Sequence, residues 1–215
     1  MRTLIIGDIH GCLYEFEDLL EKMNFKEGND RLILLGDLIN KGPYPLEVLK
    51  KARELQCEVV LGNHEWSFLQ QAYGKRQENR EFRNLLKDMK EEFSSWVGWI
   101  ENFPLFIEDE DFIVVHGGIV PSFELSQTPA HLITRIRTWD GLGRDLSCES
   151  NPAWYDLYTG EKLVVFGHWA KRGLNVQKNV IGLDSGCVYG NKLSGLALPE
   201  RKIYQVSARE TYKEI

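Results

Sequence analysis

Residues 3–11, Thr-Leu-Ile-Ile-Gly-Asp-Ile-His-Gly, decide how this chain folds. Thr3 to Ile6 read as a short, fully buried strand, and Tyr14 through Met23 read as an amphipathic helix, so Asp8 and His10 sit on the turn between them. Open α/β sheets place their ligands at the carboxyl ends of their strands. Residues i and i+2 of an extended segment point the same way, which lets the Asp8 carboxylate and the His10 imidazole converge on one point.

The pattern recurs twice downstream. Gly28-Asn29-Asp30 marks a turn, and Arg31 to Leu35 form a second buried strand that ends at Gly36-Asp37. Pro43 and Pro45 open a helix that runs to about Leu55. Glu58 to Leu61 form a third strand, which ends in Gly62-Asn63-His64-Glu65. Three strands joined by two helices make a βαβαβ unit with a parallel sheet, and all three polar clusters then share one sheet edge. A helix from about Trp66 to Ala72 and two more from about Glu78 to Glu101 follow. Residues 74–101 therefore read as a helical cap, either a solvated amphipathic face or a lid over the site.

The second half is richer in strands. Phe112 to Val115 run into His116-Gly117-Gly118, and Leu163 to Phe166 run into Gly167-His168. Val180-Ile181 precede Leu183-Asp184, while Lys192–Leu198 and Lys202–Val206 read as a closing hairpin turning at Pro199-Glu200. Residues 120–160 carry three prolines and little periodicity, so loops and short helices are expected there. With no internal repeat, low-complexity tract or linker, residues 1–215 read as a single α/β domain.

Composition narrows the functional classes. Of the 215 residues, 43% are apolar, enough for a substantial core. No stretch approaches the roughly 18 uninterrupted apolar residues of a membrane span, and the first apolar run is too short for a signal peptide, so a cytoplasmic location is expected. Cys12, Cys57, Cys148 and Cys187 form no Cys-x-x-Cys pair, and free thiols in a reducing compartment are the plain reading. A formal net charge of −6 argues against a general nucleic-acid-binding surface. An anionic substrate would then need local positive charge, which bound metal ions provide. No feature of the sequence sets an oligomeric state.

Four of the five histidines, His10, His64, His116 and His168, stand within two residues of a glycine at the end of an apolar strand. Asp8, Asp37 and Asn63 occupy equivalent strand ends; His131 falls outside the pattern. These seven oxygen and nitrogen donors suit manganese, iron or zinc rather than a cysteine-bound structural zinc. One catalytic metal uses about three protein ligands, so the set fits two ions bridged by one carboxylate. Paired metals clamp the attacking and leaving oxygens of an in-line displacement at phosphorus and generate hydroxide at neutral pH.

Gly-Asp-Ile-His-Gly (7–11), Gly-Asp-Leu-Ile-Asn-Lys-Gly-Pro (36–43), Gly-Asn-His-Glu (62–65), His-Gly-Gly (116–118) and Gly-His (167–168) resemble the ordered motifs of calcineurin-like metallophosphoesterases, in the phosphoprotein phosphatase branch. Gly167-His168-Trp169-Ala170 lacks the second histidine of the wider superfamily's Gly-His-x-His, which favours that branch. Phe166 to Ala170, followed by Gly182 to Leu198, is similar to bacterial symmetrical diadenosine tetraphosphatases. Thr134-Arg135-Ile136-Arg137 looks like their Thr-Arg-x-Arg segment, and this chain is shorter than they are between about 121 and 160. The neutral residue and lysine at 40–41 also resemble ApaH-like phosphatases, some of which hydrolyse polyphosphate or mRNA caps.

The resemblance implies two packed mixed sheets flanked by helices, in α/β/β/α layers. It implies two divalent ions, manganese first, with cobalt, iron or zinc as substitutes. Asp8, His10 and Asp37 would hold one ion, and Asp37 would bridge to a second held by Asn63, His116 and His168. His64 would be the general acid that protonates the leaving oxygen. Lys41 and Arg137 are candidates for contacts to substrate phosphate, with Arg135 as the runner-up.

One departure bears on the substrate. Phosphatases acting on serine and threonine esters carry aspartate and arginine where this chain has Asn40 and Lys41. A carboxylate partner raises a histidine pKa, and a neutral amide cannot do so to the same degree, so a weaker general acid is expected. A serine alkoxide needs its proton in the transition state, whereas a phosphate or nucleoside diphosphate leaves as a stable anion. The expected activity is therefore hydrolysis of phosphoanhydrides: diadenosine tetraphosphate or related nucleoside polyphosphates, with inorganic polyphosphate as an alternative. The rivals are a protein serine/threonine phosphatase on the same site and, less favoured, a binding module that kept the fold without the chemistry.

Overall fold

The computed structural model describes residues 1–76 and 79–214. The chain opens with β1 (Thr3–Ile6), α1 (Leu13–Lys22), β2 (Arg31–Leu34), α2 (Pro45–Glu54) and β3 (Glu58–Val59), the anticipated βαβαβ unit. Next come α3 (Asn63–Ala72), α4 (Arg83–Met89) and α5 (Phe93–Glu101). The remainder comprises β4 (Phe106–Glu108), β5 (Phe112–Val115), the short α6 (Ala130–Ile133), β6 (Leu163–Phe166), β7 (Asn175–Val176), β8 (Val180–Gly182), β9 (Lys192–Leu198) and β10 (Lys202–Ser207). The helix start expected near Glu78 lies outside the described residues.

Two five-stranded sheets form, ordered β10-β9-β1-β2-β3 and β4-β5-β6-β8-β7. In the first, β1, β2 and β3 run parallel, and the β9–β10 hairpin adds antiparallel to β1, Ile6 opposite Gly195. In the second, β5, β6 and β8 run parallel between antiparallel edges. Each sheet thus presents three parallel strand ends.

Alternation along the strands explains the layering. Leu4, Ile6, Leu32 and Leu34 face a helix-side cluster with Phe16, Leu19, Val48, Leu49 and Phe68. The intervening Ile5 and Ile33 face the second sheet's Val114, Val165 and Ile181 in an inter-sheet core. Ile113, Val115, Val164 and Phe166 turn the other way, toward α6, Trp139 and Trp154. Strands buried on both faces need continuous apolar runs, the pattern that marked them in the sequence. Burying one such side chain is worth about 1.5–3 kcal/mol. The expected α/β/β/α arrangement of two packed mixed sheets is the one observed.

Three local differences have physical causes. Helix α3 begins at Asn63 rather than near Trp66, because extended Gly62 acts as its N-cap and the Gly62 carbonyl accepts the Trp66 N–H at 2.9 Å. Strand β3 stops at Val59, since the Leu61 N–H goes to the Pro104 carbonyl instead of the sheet. Edge strands β4 and β7 were not anticipated: they span three and two residues, largely outside the buried set, and lack an alternation to read.

The helical stretch after α3 is packed, not merely solvated. Phe82, Leu85 and Met89, with Trp96 and Ile100 of α5, lie in the same cluster as α1 and α2. No described helix is long and apolar enough to cross a membrane.

Candidate metal centre

Backbone geometry at the strand ends aims the donors inward. His10, Asp37 and His168 have φ of 47°, 49° and 65°, in the left-handed region that non-glycine residues rarely adopt. Such conformations cost on the order of 1–3 kcal/mol each and persist only where the surroundings over-determine them. Here the surroundings do. The His10 and Gly11 N–H groups donate to the Asp37 and Leu38 carbonyls at 2.8 Å, knitting the first two turns together. Gly36 (φ +84°) must be glycine, because a Cβ there would lie 2.6 Å from Gly62 N and the Val60 carbonyl oxygen.

Glu65 organises the second turn from below. Fully buried, its carboxylate accepts the N–H groups of Asp37 and Leu38 at 2.8 Å and of Ile39 at 3.2 Å. Burial and the Asp37 carboxylate push its pKa up to about 8, against the Asp37 and Ile39 N–H donors, which stabilise the anion. The first turn of α3 adds the His64 N–H, which donates to Asp37 Oδ1 at 2.9 Å. A helix N-terminus has such unsatisfied donors to offer an anion.

Three histidine rings are fixed by the nitrogen that faces away from the centre. His116 Nδ1 donates to the Leu35 carbonyl at 2.7 Å, His10 Nδ1 to the Ile39 carbonyl at 3.1 Å and His168 Nε2 to the Arg135 carbonyl at 3.1 Å. With those nitrogens protonated, the opposite nitrogens present lone pairs inward, the usual support of a metal-binding imidazole. His116 Nε2 lies 3.0 Å from Asn63 Oδ1 and 3.4 Å from Asp37 Oδ1, and His10 Nε2 lies 3.4 Å from Asp37 Oδ2. At His116 a ring nitrogen, an amide oxygen and a carboxylate oxygen converge. A cation satisfies that arrangement, and the nitrogen and oxygen donor set suits a divalent transition metal.

At this centre two groups of donors are close enough to chelate: His10, Asp37 and His64, and Asp37, His116 and His168, with ligand atoms within 4.8 Å of one another. Asp37 belongs to both, as a bridging carboxylate would. Asp8 sits beside them, its carboxylate accepting the His168 N–H at 3.0 and 3.2 Å. Asp8, His10, Asp37, Asn63, His64 and His168 line one cavity of about 430 Å³ with Lys41, Arg137, Asp184 and Tyr189, and His116 contacts Asn63 and Asp37 of that lining.

Electrostatics suit cation binding. Burial drives the pKa values of His10 and His168 well below the ordinary range, which favours lone-pair-donating rings, and lowers that of His64 as well. Burial, then Asp184 and Asp37, push Asp8 well above its usual value, and burial raises Asp184. For Asp37 burial acts upward too, but His116, His64 and His10 hold it far below the normal carboxylate range. Three acids buried together thus await positive charge, part of which Lys41 supplies: its ammonium lies 2.8 Å from His10 Nε2 and 5.3 Å from the Tyr189 ring centre.

The two arginines diverge. Arg137 lines the cavity, donates to the His168 carbonyl at 3.3 Å and leaves its buried Nε without a hydrogen-bond partner among the described residues. Arg135 turns toward α3, with Ser67 Oγ at 2.9 Å and the Trp66 ring centre at 5.5 Å. The sequence reading gave no role to two residues that the structure brings here. Asp184 carried a usable signal, an acid just past an apolar strand. Glu81, whose carboxylate reaches Asn40 from the segment ahead of α4, carried none.

A family model for calcineurin-like phosphoesterases matches residues 1–173. The symmetrical bis(5′-nucleosyl)-tetraphosphatase of Vibrio parahaemolyticus is 30% identical, with 97% of this chain and 99% of that protein covered. Its namesake from Janthinobacterium is 29% identical, covering 99% and 98%. A crystal structure assigned provisionally as a diadenosine tetraphosphatase superposes with a TM-score of 0.81 at 32% identity, over 96% of this chain and 93% of that one. A serine/threonine phosphatase from Saccharomyces cerevisiae shares the fold, with a TM-score of 0.64 at 16% identity, over 97% and 79%. The chain belongs to the calcineurin-like phosphoesterases, hydrolases built on a dinuclear divalent metal site.

Proposed function

We propose that this protein hydrolyses phosphoanhydrides, with diadenosine tetraphosphate and related nucleoside polyphosphates as its substrates. The observation that carries the reading is end-to-end similarity to symmetrical tetraphosphatases, joined to an amide rather than a carboxylate beside His64. Asp8, His10 and Asp37 would hold one ion, and Asn63, His116 and His168 the other, with Asp37 shared. The metal pair, manganese in this reading, supplies Lewis-acid charge and lowers the pKa of a water.

The remaining work falls to the chain. Lys41 and Arg137 take the phosphates, Lys41 as a point charge and Arg137 through a fork with a free N–H, while Arg135 stiffens the wall behind. His64 Nε2 faces the centre, 3.8 Å from Asp37 Oδ2, and offers a hydrogen to the leaving oxygen. Residues 1–215 act as one domain, with 74–101 as a cap whose residues Phe82, Leu85, Met89, Trp96 and Ile100 pack into the core. The four cysteines are free, which accords with a cytoplasmic location.

The deciding experiment strips the metals and returns manganese, cobalt, iron or zinc in turn, against diadenosine tetraphosphate, inorganic polyphosphate and a phosphoserine peptide. Manganese should restore cleavage of the dinucleotide far above that of the peptide, and the reverse ranking would overturn the reading.

A further inference from the structure

Asn40 is buried, and its neighbours fix which way its amide points. Its Nδ2 lies 3.0 Å from His64 Nδ1 and donates to Glu81 Oε2 at 3.1 Å, while its Oδ1 accepts the Lys41 N–H at 2.9 Å. The Glu81 carboxylate can only accept and the Lys41 N–H can only donate. A flipped amide would aim oxygen at the carboxylate and N–H at N–H. In the orientation that satisfies all three neighbours, an Asn40 N–H faces His64 Nδ1. That nitrogen is then an acceptor, and the single ring proton resides on Nε2, which faces the centre.

A ring whose Nδ1 accepts a hydrogen bond is neutral. A neutral imidazole can stabilise a departing oxyanion by hydrogen bonding but has no readily transferred proton, a division of roles known for histidine electrophiles. An anhydride can use such a group, because the phosphate leaves as an anion; a serine alkoxide cannot.

We propose that Glu81 is a positioning residue: reaching in from the helical segment ahead of α4, it locks the Asn40 amide and thereby holds His64 as a neutral Nε2–H donor, which restricts the enzyme to leaving groups that depart as stable anions. This rests on His64 serving the leaving oxygen, as read above. In the step itself, the bond from phosphorus to the leaving phosphate breaks as the bond to water oxygen forms. The electron pair leaves on the phosphate, the attacking water releases its proton to solvent, and His64 keeps its own. Asn79 steadies the lock, its side chain accepting the Glu81 N–H at 3.0 Å.

The test pairs spectroscopy with leaving-group kinetics. In protein carrying ¹⁵N-histidine and loaded with diamagnetic zinc, His64 should show a protonated Nε2 and a bare Nδ1. Glu81→Ala should introduce the Nδ1–H form, and Glu81→Gln, which keeps an acceptor, should retain the native signature. With phenyl phosphate and the better-leaving p-nitrophenyl phosphate as probes, Glu81→Gln combined with Asn40→Asp should raise kcat on the phenyl ester about tenfold relative to the nitrophenyl ester at similar KM, as a regained general acid would. A protonated Nδ1 in the native protein, an unchanged spectrum in Glu81→Ala, or an unchanged leaving-group ratio would each overturn the lock. Full turnover in His64→Ala would instead remove the role of His64, and the lock with it.

Discussion

The two sheets present the same device, three parallel strand ends, and hold their donors in different ways. At the ends of β1, β2 and β3 the support is mutual: His10 and Gly11 bond the second turn, and that turn hangs from Glu65 of α3. The ends of β5, β6 and β8 contribute one residue each, His116, His168 and Asp184. Two of these are anchored to the first sheet, His116 Nδ1 on the Leu35 carbonyl and the His168 N–H on Asp8. The first sheet is therefore the template, and the second closes over it. Asp37, shared by both chelating clusters, is where they meet.

That asymmetry can be broken at graded points. Asp37→Ala removes the proposed shared ligand, so both ions should be lost and turnover should fall by more than about a thousandfold; elemental analysis and kinetics read the two outcomes, and retention of two ions would dissolve the bridging role. His64→Asn should lower kcat by about 10²–10⁴ while the metal content stays at two, separating the donor to the leaving oxygen from the ligands.

His10→Ala and His116→Ala sharpen the comparison between sheets. Each should reduce the metal count to one per chain, and the His116 variant should leave the first turn's backbone bonds intact by hydrogen exchange. Glu65→Gln turns an amide toward backbone N–H groups; stability should fall by about 1–3 kcal/mol in urea unfolding, with metal affinity following. Smallest is Arg31→Ala, at the opposite end of β2, where the guanidinium ties Glu58 to Asp109 on the second sheet. Both carboxylates are partly exposed, at 45% and 44%, so the expected loss is below about 1 kcal/mol with turnover unchanged.

How much could be read beforehand follows from how each feature is encoded. Strand ends β1, β2, β5 and β6 were legible because a buried strand must be apolar throughout and must stop where a glycine or polar residue leaves it. The beginning of α3 was misplaced because Asn63 and His64 are poor helix formers by propensity, while a glycine cap and the approach of Asp37 hold them in the first turn. Arg137 was ranked ahead of Arg135 for the phosphates, and what the sequence lacked was the reason: Arg135 packs on Trp66 and Ser67.

By itself the sequence determined the layered α/β architecture, the donor set and the neutral residue beside His64, since each is written in local composition and short-range order. The tertiary structure decided what no local pattern carries: that the histidines anchor particular ring nitrogens on backbone carbonyls, and that Glu81 reaches Asn40 across 41 residues of chain. The physical reason is that hydrogen-bond partners and proton positions are set by contacts through space, and those exist only once the two sheets have closed on each other.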